Sequence, residues 1–225
     1  MHQTGDVARA TSPRGEVVLR RREDGAHELR VNGVFVMDTV ETTSERLLAE
    51  AALAVSAAPE RVLVGGLGLG YTAHSVLADR RVTHLDVVEI EPAVAAWMRD
   101  GTVPHGPALL ADGRLRVVEA DVAAVLEEAA DASYDLVLLD VDNGPDNLVH
   151  GENAALYTAP ALGVVARVLR PGGTVVVWSA SRSPALTDAL TAVFGAAEER
   201  EVAVPAHGRV GSYWLHLAHL PHPPR

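Results

Sequence analysis

Three stretches of this chain put acidic side chains at or just past the end of a short apolar run, where a β-strand would finish. Val87-Val88-Glu89-Ile90 does so with Glu89, Val117-Val118-Glu119-Ala120-Asp121 with Asp121, and Leu138-Leu139-Asp140-Val141-Asp142-Asn143 with Asp140, Asp142 and Asn143. Ahead of them stands Val62-Leu63-Val64-Gly65-Gly66-Leu67-Gly68-Leu69-Gly70, a strand running into a glycine-rich turn and a helix. Gly65, Gly66, Gly68 and Gly70 would let the backbone turn sharply and approach a ligand with no Cβ in the way. Glu89 follows the last of these glycines at nearly the spacing, roughly 20 residues, at which an acid meets a ribose diol.

The chemistry these groups suit can be narrowed. A dinucleotide site needs G-x-G-x-x-G to bring a helix N-terminus onto a pyrophosphate. Here Gly66, Gly68 and Gly70 are spaced G-x-G-x-G, and no phosphate-binding basic group accompanies them. Acids at consecutive strand ends suit an adenosine that carries a sulfonium, with Glu89 on the ribose and Asp121 on the exocyclic adenine amine. Asp121 would serve equally as the N-cap of the next helix. Asp140 would sit where such a sulfonium reacts, drawing in a cationic amine and taking its proton. Alkyl ammonium groups have pKa values around 10, so the nucleophile needs a base, and a positioned base typically contributes ~10²–10⁴ in rate. Asp142 and Asn143 would orient the acceptor; the same run also reads as an Asx-turn closing a strand.

The elements that must hold these residues follow from periodicity and turn signals. Residues 1–15 are polar and turn-rich, which predicts a disordered arm. Runs at 16–22, 27–31 and 34–38 are β-prone and separated by Asp24-Gly25 and Asn32-Gly33, signals for tight turns in an antiparallel meander. A helix is predicted over 43–55, capped by Thr43 or Ser44 and stopped by Pro59. From 59 to 220 strands at 61–64, 85–90, 115–118, 134–140 and 174–178 alternate with helices at 71–78, 92–99, 122–130, 155–169 and 184–194. That alternation predicts a mostly parallel α/β sheet with helices on both faces. Runs at 199–204 and 212–218, joined through Pro205 and Gly208, read as an antiparallel hairpin closing one sheet edge, with 221–225 as a tail.

Composition excludes several classes. There is no cysteine and no lysine among the 225 residues, which removes disulfides, thiolate chemistry and Schiff-base mechanisms. A net charge of −11 argues against nucleic-acid binding, which needs a basic face, and is compatible with a cationic substrate. No apolar stretch approaches a membrane span, and the N-terminus has no apolar segment of the secretory kind, so the cytoplasm is the expected location. His216, His219 and His222 are spaced poorly for a shared metal, because only even offsets share a strand face; no metal is expected. Arg20-Arg21-Arg22 reads as a solvated strand end or as a contact of a homodimer. Trp178 reads as an acceptor-pocket wall or as core, and Tyr157 as packing.

Taken in order, Val31-Asn32-Gly33-Val34, Glu45, the glycine turn, Val88-Glu89-Ile90-Glu91, Glu119-Ala120-Asp121, the run ending at Asp140, Leu156-Tyr157-Thr158 and Leu169-Arg170-Pro171-Gly172-Gly173 resemble spermidine synthase and the polyamine aminopropyltransferases. The resemblance implies a Rossmann-like class I SAM-methyltransferase fold, seven-stranded with an antiparallel C-terminal hairpin, preceded by a small N-terminal β-meander. It implies a transferase of polyamine biosynthesis whose co-substrate is S-adenosylmethionine or its decarboxylated form, whose acceptor is an amine, and whose proton acceptor is Asp140. The chain departs from the family's pattern at Gly68, where an aspartate usually contacts the donor's aminopropyl group. It departs again at Asn143, where a second aspartate is usual, and at Thr42, Thr43 and Ser44, where an aromatic residue and a glutamine are usual. A small-molecule methyltransferase and a catalytically silent nucleoside-binding scaffold are the alternatives on the same fold.

Overall fold

The computed structural model describes residues 5–141, 143–146, 148, 150–206 and 209–221. Its first sheet is antiparallel, in the order β1 (Gly5–Ser12), β2 (Gly15–Arg21), β3 (His27–Val31), β4 (Val34–Asp38). Asn32 and Gly33 join β3 to β4 with φ of 52° and 78°, the pair of positive values that a two-residue type I′ hairpin requires. β1 corrects an expectation, since residues 5–12 form an edge strand and not an unordered arm. Only Ala8, Ala10 and Ser12 are half-buried and they alternate with exposed Val7, Arg9 and Thr11, so its period-2 pattern is short and carried by small residues. The ladder to β2 and the ion pairs of Asp6 with Arg9 and Arg20 hold it.

Helix α1 (Thr43–Val55) leads into the second sheet. Neither Thr43 nor Ser44 caps it. Thr42 is the N-cap without a side-chain bond, and the Glu41 carboxylate accepts from the Thr43 N–H at 3.0 Å. The Ser44 hydroxyl donates instead to Glu45 at 2.7 Å, which matters below.

The second sheet is built from β5 (Arg61–Gly65), β6 (His84–Glu89), β7 (Leu115–Glu119), β8 (Tyr134–Leu139), β9 (Leu169–Ser179), β10 (Ala197–Ala206) and β11 (Arg209–His219). Their spatial order is β10-β11-β9-β8-β5-β6-β7, with the last five strands parallel and the C-terminal pair antiparallel. Between the strands run α2 (Tyr71–Ala78), α3 (Pro92–Asp100), a short α4 (Gly106–Leu110) that the sequence pattern did not suggest, α5 (Val122–Glu128), α6 (Ala159–Val168) and α7 (Pro184–Phe194). The central strands are apolar along their length because both faces are covered. Val62, Val64, Leu136 and Leu138 pack towards α1–α3, while Leu63, Val137 and Leu139 pack towards α5–α7. The helix expected over 155–169 is in fact two pieces, a 3₁₀ segment Gly151–Tyr157 and then α6. Pro160 explains the break, because it lacks an N–H and its ring would strike the carbonyl four residues earlier.

Chain order reverses at β5, with β6 and β7 laid down on one side and β8 and β9 on the other. In such sheets the crevice outside the carboxyl ends of the strands at the reversal is the natural ligand site. The meander roofs that crevice, since Leu29, Val31, Val36 and Met37 line the same cavity as the strand ends.

Candidate active site

The crevice is a cavity of about 660 Å³, within the size range that holds a small-molecule ligand. Its floor is the turn after β5. Gly66 has φ of +97°, and a Cβ there would collide with the carbonyl oxygen of Asp140, so glycine is required for β5 and β8 to end side by side. Gly68 has φ of +49°, and a Cβ would lie 2.5 Å from the Met37 Sδ. The Met37 sulfur also accepts from the Leu69 N–H at 3.1 Å. A thioether from the meander therefore fills the space that a side chain at position 68 would occupy. Gly65 and Gly70 do not line the cavity. Gly70 precedes α2 and packs against Leu109 and Met98, and Gly65 packs beneath Val122.

At one end lies Glu89, 7% exposed. One of its oxygens accepts from the Leu67 N–H at 3.0 Å and the other from the Glu91 N–H at 2.8 Å. Burial raises its pKa, against the pull of these backbone donors. Asp121 lies beyond it, exposed and lining the cavity. It also caps α5, accepting from the Ala123 N–H at 2.8 Å, so the N-cap reading holds and the side chain also lines the cavity.

At the other end Asp140 leaves β8, its N–H bonded to the Gly65 carbonyl at 2.9 Å. The residue keeps partial exposure to the cavity, but its carboxyl is enclosed by protein, and burial pushes it up to about 6. The Thr72 hydroxyl donates to it at 2.6 Å and acts the other way. Asn143 lines the cavity, and its carbonyl accepts from the Ala180 N–H at 3.1 Å, tying this loop to the end of β9. Asp142 lies outside the described residues.

Glu45 projects from α1 into the same cavity. Burial, and after it the charge of Asp140, pushes its carboxyl up to about 7, while the Ser44 hydroxyl acts against the shift. Tyr71, Trp178 and Tyr213 wall this end; the rings of Trp178 and Tyr213 are 5.0 Å apart. Trp178 is thus pocket wall and core together, and its Nε1 is buried with no hydrogen-bond partner among the described residues. Tyr157 donates to the Val141 carbonyl at 2.8 Å, which braces the strand-end loop.

Other sequence features fall elsewhere. His216 faces Thr187 and His219 faces Thr174, and His222 lies outside the described residues. Arg22 is not a solvated strand end. It lines the cavity and pairs with buried Asp38 at 2.6 Å. Sequence reasoning named Glu45 without giving it a role. Its signal was an acid on the apolar stripe of α1 formed by Leu48, Ala49 and Ala52, all of which are buried.

Fold and site together define an α/β protein of the class I methyltransferase-like kind, with a two-ended acidic cleft. Solved structures agree on the fold. A spermidine synthase crystallised with the transition-state analogue AdoDATO superposes with a TM-score of 0.82 at 16% identity, covering 97% of this chain and 74% of that one. The Thermotoga maritima spermidine synthase gives 0.79 at 14% identity, covering 97% and 73%. Residues 41–194 match the spermine/spermidine synthase domain, and the chain belongs to that family. Curated relatives include a polyamine aminopropyltransferase of Prochlorococcus marinus, 34% identical over 60% of this chain and 45% of its own length. Putrescine N-methyltransferase 3 of Nicotiana tabacum is 32% identical over 52% of this chain and 29% of its own length. The chain thus spans less than half the length of these relatives.

Proposed function

We propose that this chain is a transferase that moves an alkyl group, by family the aminopropyl group, from a decarboxylated S-adenosylmethionine-type sulfonium nucleoside to an amine. On this reading it acts in polyamine biosynthesis. Glu89 accepts from the ribose hydroxyls and Asp121 from the adenine amine. The donor's arm runs along the cavity floor formed by Gly66, Leu67 and Gly68 towards Asp140. Asp140 and Glu45 draw in the acceptor as an ammonium between Tyr71, Trp178 and Tyr213. Asp140 takes a proton from the nitrogen. The nitrogen lone pair then forms a bond to the carbon beside the sulfonium, the C–S bond breaks, and its electrons leave a neutral thioether nucleoside. Holding the two reactants in line supplies most of the remaining acceleration.

The observation that carries this reading is Asp140. It is an enclosed carboxyl with a pKa near 6, facing a second acid across a cleft whose other end suits a nucleoside. A base poised near the working pH is what proton abstraction needs. Methyl transfer from intact S-adenosylmethionine is the second reading, favoured by the putrescine N-methyltransferase relatives and by the uncharged Met37 sulfur over Gly68. Turnover with 1,4-diaminobutane and each donor decides between them. Methylthioadenosine should accumulate from the decarboxylated donor. S-adenosylhomocysteine formed faster from the intact one would overturn aminopropyl transfer in favour of methyl transfer.

A further inference from the structure

Arg14 lies outside the span that matches the family domain, in a segment with no sequence signal for structure, yet it lines the cavity beside Glu89, Glu91 and Asp121. Its backbone is fixed. The Arg14 N–H donates to the Ser12 hydroxyl oxygen at 3.0 Å, and the Arg14 carbonyl accepts from the Asn32 side-chain amide at 3.1 Å. Asn32 belongs to the β3–β4 hairpin, so one turn of the meander holds another in place. From this base the guanidinium crosses the mouth of the cavity. One terminal nitrogen donates to the Asn153 Oδ1 at 3.3 Å, and the other stands 4.0 Å from Glu152. The Nε stands 3.8 Å from the Glu91 Oε1, too far for a hydrogen bond. It is buried and has no hydrogen-bond partner among the described residues.

We propose that Arg14 is a nucleoside-binding residue delivered by the β1–β2 turn, with its Nε–H donating to an oxygen or ring nitrogen of the bound nucleoside and Glu91 accepting from a hydroxyl beside it. This rests on the reading of the Glu89–Asp121 end as the nucleoside end. Three observations carry it. The guanidinium is ion-paired with Glu91, yet its buried Nε–H makes no hydrogen bond among the described residues; a buried donor without one is costly, and a ligand acceptor removes that cost. Glu91 is 5% exposed and already accepts from the Ser12 hydroxyl at 3.2 Å, so the meander grips the residue whose N–H holds Glu89. Arg14 Nε and Glu91 Oε1, 3.8 Å apart, place a donor and an acceptor side by side, the pairing that a ribose hydroxyl bridging them from the cavity satisfies in both directions. The edge strand β1 is then part of the binding site.

Calorimetry with methylthioadenosine tests the assignment, with 1,4-diaminobutane binding as the measure that the opposite end of the cleft is intact. Arg14→Gln and Arg14→Lys should each weaken methylthioadenosine about tenfold, because the lysine keeps charge but has no Nε–H, and diamine binding should not change. Wild-type affinity in Arg14→Gln overturns the proposal. Wild-type affinity in Arg14→Lys alone overturns the Nε contact. A wild-type protein that binds the diamine but no methylthioadenosine overturns the nucleoside reading itself, and this inference falls with it.

Discussion

Glu89 and Asp140 occupy matching places on either side of the glycine turn, one ending β6 and the other just past β8, and they are held in different ways. Both carboxyls are enclosed by protein, and burial raises the pKa of each. Glu89 accepts from backbone N–H groups of Leu67 and Glu91, whose positions are set by the loop and the strand. Such donors cannot rotate away, and they favour the anion at every pH. Among the described residues Asp140 accepts only from the Thr72 hydroxyl, which turns about its own bond and can equally accept from a protonated carboxyl. Fixed backbone donors thus oppose the burial that raises the Glu89 pKa, while the rotatable Thr72 hydroxyl suits either protonation state of Asp140. On the proposed function, the kind of donor given to each carboxylate would separate nucleoside binding at Glu89 from proton transfer at Asp140.

Asp140→Asn breaks the comparison most severely, because the amide keeps the shape and removes proton acceptance. Turnover should fall by ~10²-fold or more while nucleoside affinity stays nearly constant. The loss should shrink at high pH, where more acceptor amine is already neutral. Steady-state rates and calorimetry on the same variant check both halves. Full activity in Asp140→Asn, with loss in Asp142→Asn, would reassign the base.

Glu89→Gln tests the other side. It replaces a charged acceptor by a neutral one and should weaken methylthioadenosine by roughly 1.5–3 kcal/mol, the worth of a hydrogen bond to a charged group. Turnover at saturating donor should suffer far less than in Asp140→Asn. Unchanged affinity would show that Glu89 only braces the glycine turn through Leu67 and Glu91.

These residues were legible in the sequence because each sits where a local pattern ends. An apolar run predicts a buried strand, and an acid closing it predicts a carboxylate at the ligand edge. The same logic placed β5 to β8 within a residue, while β9 begins at Leu169, five residues before the expected 174. It failed where a contact is non-local or a pattern is missing. β1 is an edge strand whose alternation is short and rests on two alanines, too weak to announce it, and Arg14 in the turn after it meets Glu91 only through tertiary packing. Met37 reaches Gly68 from a separate sheet. Trp178 meets Tyr213 only because β9 and β11 pair in a particular antiparallel register, Trp178 opposite Leu215. Pro160 did carry a readable signal against one continuous helix over 155–169.

Glu45 sharpens the contrast on the acceptor side, through stability instead of rate. Its carboxyl moves from 4.5 up to about 7 on folding, so the fold prefers the neutral acid. The stabilisation from that preference is complete below about pH 4.5 and is lost as the pH rises through about 7. Glu45→Gln stays neutral throughout. Its advantage over the wild type should be small at pH 4 and grow to about 2 kcal/mol at pH 8, allowing for its coupling to Asp140. Denaturant unfolding at the two pH values measures the difference. An equal difference at both would mean that Glu45 is charged in the folded state across the range.

Asp121 gives the smallest and most divided effect, because the proposed function adds a second role to its N-cap. Its Oδ1 is committed to the Ala123 N–H as the N-cap of α5, and on the proposed function its other oxygen would accept from the adenine amine. Asp121→Ala loses both roles and should cost about 1 kcal/mol of stability from the cap, together with a loss of nucleoside affinity of a few-fold. Asp121→Ser separates them. Serine is a good N-cap, so stability should return towards that of the wild type. Its hydroxyl oxygen, once it accepts from the backbone, is too short to reach the base as a carboxylate does, so affinity should stay at the level of the alanine variant. Thermal unfolding read beside methylthioadenosine calorimetry resolves the two. If serine restores affinity along with stability, Asp121 acts on the nucleoside only by holding the start of α5 in place. Adenine recognition would then rest on the cavity wall around Ile90, Ala120 and Val122.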